Sequence, residues 1–362
     1  MLIAAVTAAA TSCDTGKRDV EHSLGPAILV VDVNVGDGKP MPADGAIQIA
    51  FDRYLLPATV NRQSIVIVDG ANQQLTPELA PIVLYDPVAR TVTLAPPKQP
   101  WLTEGQPYKV ILGIPEGNAD TGGVRAIDRA TLYPEQKRDF AFFVGPKANK
   151  PIEPTVSFCR DVLPIFYAKC ATIPTCHITG ERAAASLGLD TSVGVGATAL
   201  NRVAQGANRG ARSGLVTTSE PLFGVDMPLI DPGSPGNSWL MYKIEMARLP
   251  VTEGTSPIGC TNGLLEPATK LTFSPLATKA QRSADDLERT ILSDYILGRE
   301  MPFPVARPGG YADFALTFDE REKVRLWIQS LPKGSSVPEC GGCGELPQAP
   351  SADAGAKDAA DQ

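Results

Sequence analysis

The apolar residues of this chain change their period once, and that change bounds what it can fold into. From Gly25 to Gly145 the runs "AILVVDV", "AIQIAF", "SIVIVDG", "YKVILGIP" and "DFAFFVG" are rich in β-branched and aromatic residues and are punctuated by Gly, Pro, Asp and Asn. The stretch "IVLYDPVARTVTLAPP" alternates apolar and polar residues on both sides of "DPVAR", which predicts a hairpin. Alternation with a period of two turns one face of each run toward a core. Seven such strands in about 120 residues have the size of a β-sandwich. In "WLTEGQPY" the residues Leu102, Gly105 and Tyr108 precede a late strand, so the Tyr108 hydroxyl is expected to bond back to the backbone. Nothing in this block converges into a reactive site.

"GPKANKPIEPT" carries three prolines in eleven residues and reads as a stiff linker over 147–155. Beyond it the period becomes helical. Asp161 is placed to cap a helix carrying Val162, Ile165 and Phe166, with Pro164 in its first turn. Ser283 precedes a second helix whose Leu287, Ile291, Leu292, Tyr295 and Ile296 share a face, ended by Gly298. Thr317 and Glu320 form a capping-box pattern ahead of Val324, Trp327, Ile328 and Leu331. The fold class expected is therefore multidomain: an all-β sandwich over 26–146, then a mostly α domain over 156–334. Residues 335–362, with two cysteines and then small polar residues, read as a disordered tail.

The charge balance narrows the partners. Net charge is −7 and no basic cluster follows a phosphate backbone, which argues against nucleic acid. The apolar start, "MLIAAVTAAATSC", is shorter than the roughly eighteen residues of a membrane span. Two histidines occur, His22 in the polar segment 14–25, read as a tether, and His177. Chemistry that needs an imidazole in a folded domain falls on His177.

His177 directly follows a cysteine pair in "YAKCATIPTCHITG". A covalent haem needs two thiols and an imidazole immediately after the second, usually as C-x-x-C-H. Here five residues separate Cys170 from Cys176. A lengthened loop costs only a fraction of a kcal/mol in closure entropy, and Pro174 favours a turn. The competing reading is a disulfide between Cys170 and Cys176, worth about 2 kcal/mol, with His177 structural. Zinc fits less well, for lack of a second histidine in the domain. Cys159, Cys260, Cys340 and Cys343 remain as disulfide candidates; "CGGC" lies among Gly and Pro, without the βαβ setting of a redox pair.

Three resemblances extend this reading. The first thirteen residues resemble a bacterial lipoprotein signal in which Cys13 is lipidated, although Ala10 stands where Leu is usual and no Lys or Arg precedes the apolar run. An ordinary secretory signal or an apolar terminus are the alternatives. The β block, through "MPADGAIQIAFDRYLLPATV", "YDPVARTVTLAP", "LTEGQPYKVIL" and "FAFFV", resembles the Ig-like domains of bacterial surface-layer and other exported proteins. That likeness implies a spacer or binding module.

The second half resembles exported cytochrome c-like domains of the myxobacterial and planctomycete kind. The matching stretches are "FCRDVLPIFYAKC…CH", "IDPGSPGNSWLMYKI", "REMP" and "LTFDEREKVRLWIQSLP". The resemblance implies haem c on Cys170 and Cys176, His177 as proximal iron ligand and Met301 as distal ligand, with Met227 of a second Met-Pro pair as second choice. Residues 248–282, including Cys260, interrupt the family's spacing like an insertion. Together these imply an electron carrier with no evident substrate site, lipid-anchored in the bacterial cell envelope and serving redox protein partners there. The alternative is a haem-free, disulfide-stapled surface lipoprotein with a structural or adhesive role.

Overall fold

The computed structural model describes residues 25–36, 38, 40–116, 121–149, 153–172, 176–180, 183–204, 223–224, 226–250, 259–261, 264–271, 286–296, 299–302 and 314–341. The expected lipidation site Cys13, the tether, Pro174, Ser283, Gly298 and Cys343 lie outside them.

Eight strands fill the first unit: β1 (Val30–Val33), β2 (Met41–Pro42), β3 (Ile47–Phe51), β4 (Ile65–Asp69), β5 (Ile82–Asp86), β6 (Thr91–Ala95), β7 (Pro107–Leu112) and β8 (Asp139–Gly145). They form two four-stranded sheets, in the orders β1-β3-β6-β5 and β2-β8-β7-β4. All pairings are antiparallel except β2 with β8. The alternation does what the sequence predicts. Ile47, Ile49 and Phe51 of β3, Val92 and Leu94 of β6, Val110 and Leu112 of β7 and Phe140 and Phe142 of β8 are buried in one shared core. Each such side chain contributes about 1.5–3 kcal/mol of burial. The hairpin β5–β6 is present, and Tyr108 Oη accepts from Thr103 N–H at 3.2 Å, as "WLTEGQPY" predicts.

The second unit has five helices among the described residues. The first, α1, runs as Phe158–Val162, Leu163–Ile165 and Phe166–Cys170 wound end to end; α2 is Ser192–Thr198, α3 Trp239–Glu245, α4 Asp286–Tyr295 and α5 Phe318–Ser330. Helix α1 begins one turn earlier than expected. Ser157 is its N-cap, and Asp161, buried inside the first turn, reaches back to accept from Ser157 N–H at 2.8 Å. Pro164 therefore stands mid-helix, and the turns on either side widen to i→i−5 bonds, Leu163 N–H to Phe158 O and Ala171 N–H to Phe166 O. Widening accommodates a residue that lacks an N–H and crowds the preceding turn. Helix α5 starts on the predicted Thr317/Glu320 capping box.

Two expectations need correction. Leu287 is 50% exposed, not on the buried face of α4. Glu288 takes that place because Arg53 of the first unit waits for it, Nε to Oε1 at 2.6 Å. The 335–362 tail is ordered at its start: Val337 is buried in the helical core and Cys340 packs against it. Within 248–282 the hairpin β9 (Gly259–Thr261) and β10 (Leu264–Glu266) forms, and Thr269 then bonds Asp161 through its N–H at 2.6 Å and its hydroxyl at 3.0 Å. That segment is tied to α1.

The two units are docked through buried charge. Arg53 also meets Asp128 at 2.9 Å, and Arg321 of α5 meets Glu245 of α3 at 3.0 Å while Glu245 accepts from the Tyr54 hydroxyl. Arg325 of α5 contacts Asp86 at 3.4 Å, Glu153 at 2.6 Å and Glu322 at 2.5 Å. Glu153 belongs to the Pro-rich segment, so part of the expected linker is interface. Gly236 sits so close to Tyr85 that a Cβ there would lie 2.6 Å from the ring.

Candidate functional site

The site is built on the end of α1. Its aromatic side is held by α5: the Phe158 ring lies 4.8 Å from that of Trp327, and Phe166 meets Trp327 edge-on at 6.2 Å. Lys169 locks the last turn, donating to Glu320 Oε2 at 2.9 Å and to Ala315 O at 2.8 Å. Cys170 ends the helix, buried.

Two backbone bonds then determine where the next motif residues lie. His177 N–H donates to Cys170 O at 3.1 Å, and Ala184 N–H donates to Cys176 O at 2.7 Å. The first bond sets His177 beside Cys170. A third bond, Leu189 N–H to His177 O at 2.7 Å, ties the loop to the segment leading into α2. Cys170 and Cys176 are both free thiols.

These residues open on a cavity of about 710 Å³. Cys170, Cys176, His177 and Met301 all line it, with Leu187, Leu189, Leu240, Ile244 and Phe314 making much of the apolar wall. The volume lies in the range of cofactor and ligand sites, roughly 300–1,000 Å³. Met301 is positioned by its N–H, which donates to Lys243 O at 2.9 Å on α3. Met227, the second choice, packs instead against Phe223 and Trp239 in a separate cluster and is not part of the wall.

The electrostatics suit ligation more than nucleophilic attack. Burial pushes the Cys170 thiol up to about 12, helped by the Glu320 carboxylate and partly offset by Lys169. It is protonated at neutral pH, and a thiol is a poor nucleophile. Burial lowers the His177 pKa, against the carbonyls of Leu187 and Ala184, which favour the charged ring. The ring is therefore neutral near pH 7, the form that binds metals. His177 Nδ1 is buried with no hydrogen-bond partner, since neither carbonyl meets it in bonding geometry. An orphaned buried nitrogen costs about 1–3 kcal/mol, so its retention calls for an explanation.

Of the disulfide candidates, Cys159 of α1 is bonded to Cys340, closing the segment after α5 onto the helix that carries the site. Cys260 lies in β9. Sequence reasoning missed the cations of the wall, Lys169, Arg202 and Lys243. Lys243 stands in the stretch "NSWLMYKI" that carries part of the family likeness, whereas nothing about Arg202 marks it in the sequence.

No family model matches the chain, and no curated protein does. Among solved structures, the S-layer protein rSbsC(31–844) is 18% identical over 38% of this chain and 16% of that one, with a TM-score of 0.23. Native alpha-2-macroglobulin from Escherichia coli, spanning its first domains, is also 18% identical, over 39% of this chain and 38% of that one, with a TM-score of 0.22. The chain thus spans well under half of either relative, and likeness at this level carries no argument about function.

Proposed function

We propose that this protein is an electron carrier of the bacterial cell envelope, with a c-type haem held in the α1 cavity. The reading rests on one observation. The two thiols, the imidazole and the thioether expected from the sequence at Cys170, Cys176, His177 and Met301 come from two distant parts of the chain and line the same cavity. The chain forms a disulfide at Cys159–Cys340 and leaves Cys170 and Cys176 unbonded, as thioether attachment requires.

Cys170 and Cys176 would hold the haem covalently through thioether bonds. His177 and Met301 would hold the iron, a pairing that raises reduction potential. A ligating histidine commonly gives its other ring nitrogen to a carbonyl, and the acceptors at hand are those of Ala184 and Leu187. When bound, the haem supplies one-electron Fe(III)/Fe(II) chemistry. The apolar side chains of the wall would limit water at the iron, and the packing of α1 on α5 positions Cys170.

On this reading the helical unit is a cytochrome c-like domain and the two sheets are an Ig-like domain. Lipidation of Cys13 after export would anchor the chain to a membrane and present it to redox partners. The test is an absorption spectrum of the exported chain, denatured and reduced in alkaline pyridine, after growth in a host with c-type maturation. A retained haem band is expected. Its absence would end the proposal.

A further inference from the structure

Of the six cysteines after Cys13, the chemistry of Cys260 and Cys343 is still open: Cys159 and Cys340 are bonded, and Cys170 and Cys176 are free thiols at the α1 cavity. Two placements bring the remaining pair to one neighbourhood. Strand β9, which carries Cys260, packs against the first turn of α1, Phe158–Val162, with Cα atoms within 8 Å of it. The chain after the hairpin is tied to the same turn, where Thr269 N–H donates to Asp161 at 2.6 Å and Arg160 Nη2 donates to the Thr269 hydroxyl at 2.6 Å. Cys159 stands in that turn, and its bond holds Cys340 there, Cα to Cα at 5.4 Å. Cys343 follows Cys340 in "CGGC", so its Cα lies within roughly 10 Å of that of Cys340 by any path. The free thiols belong to the other end of α1: Cys170 is roughly 15 Å beyond Cys159 by helical rise.

We infer that Cys260 and Cys343 are joined by a second disulfide beside Cys159–Cys340, stapling both the 248–282 segment and the start of the tail to α1. A disulfide spans Cα atoms about 4.4–6.8 Å apart, a separation that the short tether of Cys343 and the packing of β9 on α1 allow. The bond forms by exchange. One cysteine, as thiolate, attacks the disulfide of an oxidising thiol–disulfide protein of the export compartment; the second then displaces that protein, which leaves as a dithiol holding both electrons and both protons. The inference rests on export of the chain and not on the haem reading. Its consequence is a partition of the thiols: four cysteines close on one another at the start of α1, and the two at its end are left reduced for the cavity.

The test maps the bonds of the full exported chain. It is denatured in N-ethylmaleimide without reductant, so that free thiols are labelled, and digested with trypsin. Cleavage after Lys147, Arg160, Arg248, Lys270, Lys333 and Lys357 leaves Cys159, Cys260 and the Cys340/Cys343 pair on three peptides. The expected product is those three peptides linked in one species that carries no label. Fragmentation between Gly341 and Gly342 should then leave Cys340 with the Cys159 peptide and Cys343 with the Cys260 peptide. In Cys343→Ser the Cys260 peptide should separate and take up one label, while Cys159 and Cys340 stay linked. Label on Cys260 and Cys343 of the wild-type chain, or either of them bonded to any other cysteine, would overturn the inference and leave Cys159–Cys340 standing. Label on all four would overturn it together with the export reading.

Discussion

Replacing Arg325 by methionine should separate the two units in a pH-dependent way. Arg325 contacts Asp86 from β5, Glu153 from the connecting segment and Glu322 from α5 itself, and its side chain is 4% exposed. Methionine keeps most of the apolar stem and removes the charge. Breaking a buried ion pair by deleting one partner typically costs about 3–5 kcal/mol, and here three carboxylates lose the Arg325 contact at once. Burial already raises the pKa of Asp86 and holds that of Glu322 well above the ordinary range, with Arg325 the main opposing influence. Without it both rise further. A carboxyl whose folded pKa is raised contributes stability below its unfolded pKa, near 4, and loses that contribution as pH climbs through the folded value. The cost of the substitution should therefore be small at about pH 4 and approach the full 3–5 kcal/mol by about pH 8. Urea denaturation of wild type and variant at both pH values, followed by tryptophan fluorescence, measures it. A cost that is equal at the two pH values, or below about 1 kcal/mol at the higher one, would refute the claim that this network docks the units.

Further outcomes follow from other contacts. Replacing both Cys159 and Cys340 by alanine opens a loop of 181 residues and should cost up to about 5 kcal/mol by loop entropy, seen as a lower urea midpoint. Met301→Ala should lower the midpoint potential of the haem-loaded chain with little change in stability. Met227→Ala should do the reverse, leaving the potential near wild type and costing about 2–5 kcal/mol in denaturation, because that side chain fills a core. Tyr108→Phe removes the acceptor for Thr103 N–H and should cost about 1 kcal/mol in thermal unfolding.

What the sequence shows and what it hides divide along contact range. The strands of the first unit are legible because alternation and turn residues are local, and the start of α5 is legible because Thr317 and Glu320 stand three residues apart. The Cys170, Cys176 and His177 cluster is also a local word, and the His177 N–H to Cys170 O bond shows how a long spacer can still close. Met301 joins them across more than a hundred residues and was reachable only through family likeness. The buried charges were not legible at all. The apolar positions that mark the two helices carry no sign of Glu288, Glu322, Lys323 or Arg325 as core residues. Arg325 and Glu288 are buried against Asp86, Glu153 and Arg53, which arrive from sequence positions that no periodicity links to them, whereas Lys323 pairs with Asp319 and Glu322 with Arg325 on the same helix. Pro164 misled in the other direction: it suggests a helix start, but the helix passes through it by widening its turns.

The central claim is that Cys170 and Cys176 carry a covalent haem. The most direct measurement is the intact mass of the exported chain, denatured and unreduced, compared with a variant in which both cysteines are alanine. The account predicts that the wild-type chain is heavier than its sequence, after processing, by one haem, and that the variant carries none. A wild-type chain without that added mass, with Cys170 and Cys176 joined to each other by a disulfide, would contradict it.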